Sequence, residues 1–273
     1  MGFILKKVSD VGTSNPIVAR LSLQFSELIK FYNLDDSKKE LITELLTGDI
    51  QKRLLSCDKE AVEVTNEIID TLNNIKKNRI PVQSGGRVIE SPHIIRLEER
   101  IESYLYNAKS CLRDVLKIYN ILFGTNFTEA RYDKAIKWAT ERFGENDGVT
   151  KFLTTDHDHW IHQLVKMRNA VEHPGGYSGH LHIKNFDIIT SNGKTGISEP
   201  TWNLNDDVPT LIRKDLHVFV KNILELIEDV VISALEKFGK PSILAIIEIP
   251  EDKRREEAPI RFRIGLPQEI ETS

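Results

Sequence analysis

A mainly α-helical fold is predicted for this chain, and three observations predict it. Apolar residues recur at three- and four-residue spacing over most of the sequence. Helix start and stop residues punctuate that period, as at Ser91-Pro92 and Gly239-Lys240-Pro241. Only two short stretches leave the helical rhythm, one between Gly176 and Trp202 and one after Gly239.

In chain order, Leu41, Ile42, Leu45, Leu46, Ile50 and Leu54 form one stripe. Val62, Ile68, Ile69, Leu72 and Ile75 form a second after a polar break at Ser56 to Asp58, which reads as an N-terminal helical hairpin. Arg79 to Ser91, with Pro81, Gly85 and Gly86, has no apolar period and is the expected linker. A long helix is expected to start at Ser91, whose hydroxyl can cap, with Pro92 at the first helical position. Its stripe is Ile94, Leu97, Ile101, Leu105, Ala108, Leu112, Val115 and Tyr119, and it ends near Gly124. Shorter helices are expected at Glu129 to Phe143 and Asp156 to Glu172.

The alternation His182, Lys184, Phe186, Ile188 and the turn signal Ser191-Asn192-Gly193 predict a small β-hairpin inserted near 177–204. The last helix runs from about Asp207-Val208-Pro209 to Phe238 and is apolar over much of its circumference, as a central helix would be. Ser242 to Ile249 and Pro259 to Ile264 read as C-terminal strands joined by the charged loop Glu251 to Glu257. The expected organisation is a helical region and linker over 1–90, a helical bundle with its insert over 91–240, and a β appendage over 241–273.

With 273 residues, 40% of them hydrophobic and 29% charged, the chain can bury a sizeable core. A formal charge of −4 gives no global basic field, so nucleic-acid binding would need a local patch. Lys76, Lys77, Arg79 and Arg87, and Lys253, Arg254, Arg255, Arg261 and Arg263, are such patches. Acidic residues interleave the second set, so a solvated surface is the preferred reading. Cys57 and Cys111 fall inside helical stretches and are expected to be reduced, buried thiols in a cytoplasmic protein. The most apolar stretch, Leu216 to Leu235, is interrupted by Lys221, Glu225, Glu228 and Asp229, so no membrane span is expected. Met1 to Val8 is too short in apolar residues for a secretion signal.

The hexapeptide Arg168-Asn169-Ala170-Val171-Glu172-His173, followed by Pro174-Gly175-Gly176, carries the clearest chemistry. Arginine supplies a permanent charge in a planar fork that matches phosphate oxygens, and histidine titrates near neutral pH. On a regular helix, Trp160, Ile161, Leu164, Met167 and Val171 define an apolar arc with Arg168 at its edge. His162, Lys166, Asn169 and His173 line the opposite face, where Asn169 could bond the His173 ring. The residue before proline disfavours helical geometry, so His173 should end the helix, where the dipole favours an imidazolium. Arg168 and His173 would then point about 140° apart, so either the helix end unwinds or two copies of the motif face each other. The competing reading is structural: Arg168 pairs with Glu172 one turn on, and His173 merely caps.

His157, His159 and His162 raise the question of a metal, but no His-Glu-x-x-His pattern or cysteine pair accompanies them, and none is expected. His180 and His182 in the insert are candidates to approach the same cleft.

The Arg-Asn-x3-His motif and the helix order from about Ser91 to Phe238 resemble the HEPN superfamily of helical-bundle proteins, found in prokaryotic ribonuclease toxins, abortive-infection proteins and CRISPR effector nucleases. The resemblance implies Arg168 and His173 as catalytic residues, with Asn169 as their polar neighbour. Lys166, His162, His180 and His182 are then candidates for substrate binding. It further implies a homodimer with the motifs in a shared cleft, RNA as substrate, metal-independent cleavage by 2′-OH attack without a cofactor, and a setting in toxin–antitoxin or antiviral defence with an antitoxin or neighbouring defence protein as a possible partner. Some members of the family bind a nucleotide or a partner protein without cleaving RNA, which keeps a binding module and a plain helical scaffold as alternatives.

Overall fold

The computed structural model describes residues 11–78, 92–191, 194–239 and 244–266. Helix takes up 66% of it and strand 12%, which makes the fold mainly α with small antiparallel sheets. The chain divides into two compact units, neither contiguous in sequence. The first comprises Met1–Lys52, Arg113–Glu129 and Leu226–Ser273, and the second Arg53–Leu112 and Ala130–Glu225. No helix among the described residues is long and apolar enough to cross a membrane.

In the first unit, α1 (Pro16–Val18) is capped by Asn15, whose side chain accepts from the Ile17 N–H at 2.8 Å. It continues through a π turn (Ala19–Gln24) into α2 (Phe25–Leu28) and a 3-10 turn (Ile29–Phe31). The chain reverses at Tyr32–Asp35, and Asp35 caps α3 (Asp36–Glu44) by accepting from the Lys38 N–H at 2.8 Å. A π turn (Leu45–Ile50) leads without interruption into α4 (Gln51–Asn78). The polar triplet Ser56 to Asp58 is therefore no break, which corrects the predicted hairpin. Cys57 fills the apolar position between Leu54 and Ala61, so the stripe Ile50, Leu54, Cys57, Ala61, Val64 and Ile68 is buried throughout. The helical hairpin exists, but its turn lies at Tyr32–Asp35.

The C-terminal strands are present as β6 (Ala245–Glu248) and β7 (Phe262–Gly265), paired antiparallel. A polar network within the first unit ties β7 to the helices. Glu228 is fully buried; one carboxylate oxygen accepts from Gln24 Nε2 at 2.8 Å, and the other lies 3.4 Å from both Arg20 and Arg261. Gln24 Oε1 accepts the backbone N–H groups of Arg261 and Phe262, each at 2.7 Å. Arg261 thus belongs to a buried network, not to the solvated surface expected of the C-terminal cations, and desolvation raises the Glu228 pKa above its ordinary value despite the two arginines.

In the second unit, α5 (Leu97–Phe123) starts six residues later than the Ser91-Pro92 signal predicts. Ile94 is held outside the helix by Asn185, whose side-chain amide accepts its N–H and donates to its carbonyl, both at 2.9 Å. Arg96 then takes a left-handed turn at φ 57°. The expected linker over 79–91, with its cations Arg79 and Arg87, lies outside the described residues. α6 (Tyr132–Phe143) follows, and Asp147 caps α7 (Gly148–Asp156) by accepting from the Val149 N–H. A π turn (His157–Ile161) joins α7 to α8 (His162–Glu172).

The inserted hairpin proves to be two small sheets. β2 (Asp187–Ser191) and β3 (Lys194–Ser198) pair with Ser191 opposite Lys194, the register a two-residue Asn-Gly loop imposes. The loop residues themselves lie outside the described residues. β1 (Leu181–Lys184), β4 (Thr201–Leu204) and β5 (Thr210–Leu211) form the other sheet, with β4 in the middle. The alternation from His182 to Ile188 does not run on because Asn185 leaves the strand to hold Ile94. β5 also delays α9 (Ile212–Phe238), predicted from Asp207: Thr210 is paired with Trp202, and Asp215 accepts from the Trp202 indole N–H at 2.7 Å. Tyr104 on α5 donates to the Leu216 carbonyl at 2.7 Å and accepts, through its own carbonyl, the buried thiol of Cys57. Both cysteines are free and buried.

Candidate phosphodiester site at the end of helix α8

The local fold around the hexapeptide starts from the π turn. A π turn holds more residues per turn than an α turn, so residues five apart come onto one face. The rings of His157 and His162 accordingly meet edge to face, 5.2 Å between centroids. His159 instead bonds the Thr155 carbonyl at 2.7 Å. Among the described residues, no group of three or more His, Cys, Asp or Glu is arranged to hold a metal ion. His162 is exposed, and desolvation, Lys166 and His157 hold its pKa below the ordinary histidine value.

From His162 onward the helix is regular and buries Leu164, Met167 and Ala170. Arg168 sits at the edge of this face, its side chain 16% exposed. Its guanidinium carbon lies 5.6 Å from the centre of the Tyr106 ring on α5, a cation–π contact, and its Nη1 is 3.7 Å from Glu172 Oε2. Lys109, one turn further along α5, donates to Asn169 Oδ1 at 2.6 Å and stands 3.6 Å from the same Glu172 oxygen. Two cations therefore share one carboxylate, itself 43% exposed, at distances longer than a good charge-assisted hydrogen bond.

The i,i+4 pair of Arg168 with Glu172 is thus present, as the structural reading expects. The Asn169 amide oxygen is engaged by Lys109, and among the described residues no hydrogen bond joins Asn169 to the His173 ring. What joins them is backbone: the His173 N–H donates to the Asn169 carbonyl at 2.8 Å. His173 leaves helical geometry at φ −133° and ψ 73°, as its place before proline predicts, and its side chain is exposed.

The chain then closes a tight turn. Gly176 N–H donates to the His173 carbonyl at 2.9 Å, Gly179 N–H to Gly176 at 2.9 Å, and Gly175 N–H to Gly179 at 3.0 Å. Gly175 is left-handed at φ +73°, and a Cβ there would lie 3.2 Å from Nε2 of His180. The turn thus brings the His180 ring against Gly175, two residues after His173. The His180 and His182 rings are 6.3 Å apart between centroids, and β1 and β4 pack on α8. Lys166 is half-buried on α8, and His182 lies on the exposed side of β1.

Lys109 and Tyr106 are the participants that the sequence did not reveal. Both come from a helix read only for its apolar stripe, and no local spacing relates them to residues some sixty positions away. No protein-family profile, curated protein or solved structure matches the chain.

Proposed function

We propose that this protein is a metal-independent endoribonuclease of HEPN type, with Arg168 and His173 as its catalytic residues. The observation that carries the reading is the surplus of positive charge at the end of α8, where Lys109 and Arg168 share the one carboxylate of Glu172 next to the exposed His173. A phosphate diester arriving there meets two cations whose present partner is partly solvated and loosely held, so exchange of partner costs little. In the reaction, the ribose 2′-oxygen forms a bond to the adjacent phosphorus as its proton passes to a base, and the bond from phosphorus to the 5′-oxygen breaks as that oxygen gains a proton. His173 serves the proton transfer, while Arg168 and Lys109 neutralise the charge that grows on the phosphoryl oxygens. Tyr106 and Glu172 orient the guanidinium.

Because His173 ends the helix and Arg168 lies on its flank, a homodimer in which two motifs share a cleft completes the site. RNA is the substrate, and toxin–antitoxin or antiviral defence is the setting implied by the resemblance. The Arg168–Glu172 pair favours a second reading, a non-catalytic helical module in which Arg168 only stabilises α8. Incubation of the purified chain with RNA in EDTA separates the two. The nuclease reading expects products ending in 2′,3′-cyclic phosphate, lost in Arg168→Ala and in His173→Ala with helical content unchanged. Cleavage that survives both substitutions would remove the site.

A further inference from the structure

Tyr177 is a large aromatic that is fully exposed, and it stands at the tip of the turn that leaves the catalytic end of α8. An exposed aromatic on a floppy loop means little, but this turn is held firmly. Three backbone hydrogen bonds close it between His173 and Gly179. Asn205 braces it from the neighbouring strand end, accepting the His180 N–H at 2.9 Å and donating to the Ser178 carbonyl at 3.4 Å. The brace leaves no room for a side chain at Gly179, where a Cβ would fall 1.8 Å from the Asn205 amide oxygen. The ring is therefore held out into water by a prebuilt support.

We infer that Tyr177 is a base-stacking platform for single-stranded RNA, holding a nucleobase next to the phosphate bound by Arg168 and Lys109. The inference rests on the nuclease reading and names the subsite that reading lacks. Two features favour RNA over a protein partner. The turn residues around Tyr177 are glycine, proline and serine, with His173 and His180 at its ends, so the ring lacks the apolar surround that shields a protein–protein anchor. The stretch from His173 to Phe186 also carries three histidines and Lys184, with carboxylates, Glu172 and Asp187, only at its two borders, which suits a polyanion. Aromatic stacking tolerates any base, so the platform would add affinity with little sequence preference.

The test is equilibrium binding of a fluorescent single-stranded RNA, made non-cleavable by 2′-O-methylation, and of an abasic oligonucleotide of equal charge. Tyr177→Ala should weaken RNA binding roughly ten-fold and leave abasic binding unchanged, while Tyr177→Phe should bind RNA like the natural chain. Equal weakening for both ligands, or none for either while Arg168→Ala still abolishes RNA binding, would overturn the stacking role alone. A change of oligomeric state in Tyr177→Ala without loss of RNA affinity would assign the ring to a protein contact instead. Absence of RNA binding by the natural chain would remove the nuclease reading along with the platform.

Discussion

The two units each gather arginine and glutamate into a cluster, and the clusters differ in opposite respects. Around Glu228, one fully buried carboxylate receives Arg20, Arg261 and Gln24, and the remaining Gln24 oxygen is spent on two backbone N–H groups of β7. At the end of α8, two cations reach towards one half-exposed carboxylate. The ion-pair distances are similar, 3.4 Å at Glu228 against 3.6 and 3.7 Å at Glu172, but burial makes the first a clamp that holds the C-terminal strands, whereas the exposed second is the one proposed to offer charge to a ligand. Residue type alone does not separate the two roles, since both contain arginine and glutamate. What separates them is how much water each carboxylate keeps.

The contrast breaks most visibly at Glu228. Glu228→Ala removes the buried carboxylate that Arg20 and Arg261 share, leaving Arg261 only more exposed partners such as Glu248, and should cost about 3 kcal/mol of unfolding free energy, read from the denaturant midpoint. A loss below 1 kcal/mol would mean that water reaches the network. At the other cluster, Glu172→Gln should change stability by only about 0.5 kcal/mol, because the pair it breaks is partly solvated. The same substitution removes the negative charge that competes for Lys109 and Arg168, while the amide oxygen can still orient the guanidinium, and should tighten RNA binding several-fold; weaker binding would show that orientation needs the charge and outweighs the competition.

The smallest effect is the pH dependence of the clamp. Desolvation raises the Glu228 pKa in the folded chain, so over the window from the ordinary glutamate value up to the native one the folded state keeps a proton that the unfolded state has lost. That contribution is fully present below the window and is lost as pH rises through it. Unfolding curves of the natural chain and Glu228→Gln across this window should therefore diverge, the natural chain losing stability relative to the variant as pH rises. Parallel curves would place the carboxylate at its ordinary pKa.

Much of the fold was legible because helix periods and helix-stop residues are local signals. Helices α5, α6, α8 and α9, the exit of the chain at His173, the β2–β3 pair and both C-terminal strands all follow from residues within a few positions of one another. Other features were not legible, among them α1, α2 and α7, where no helical period was read, and the second sheet of the insert. The break read at Ser56 to Asp58 failed because cysteine served as an apolar residue. The start of α5 failed because Asn185, far along the chain, holds Ile94 out of the helix. The π turn at His157–Ile161 shifts the angular register, so an ideal helix misplaces His157 and His159 within it relative to His162. In the candidate site, Arg168, Asn169 and His173 came from a motif, but Lys109 and Tyr106 depend on how α5 packs on α8, which no spacing records.

The central claim is that one cluster holds the fold and the other does chemistry, and a paired measurement on Arg168→Ala and Glu228→Ala tests it most directly. For each variant, the unfolding free energy and the rate of RNA cleavage in EDTA, at a temperature where both remain folded, would be recorded together. Arg168→Ala is predicted to lose cleavage at least about a hundred-fold while staying within about 1 kcal/mol of the natural stability, and Glu228→Ala to lose stability while keeping cleavage. Unchanged cleavage in Arg168→Ala, or unfolding as severe as in Glu228→Ala, would contradict it.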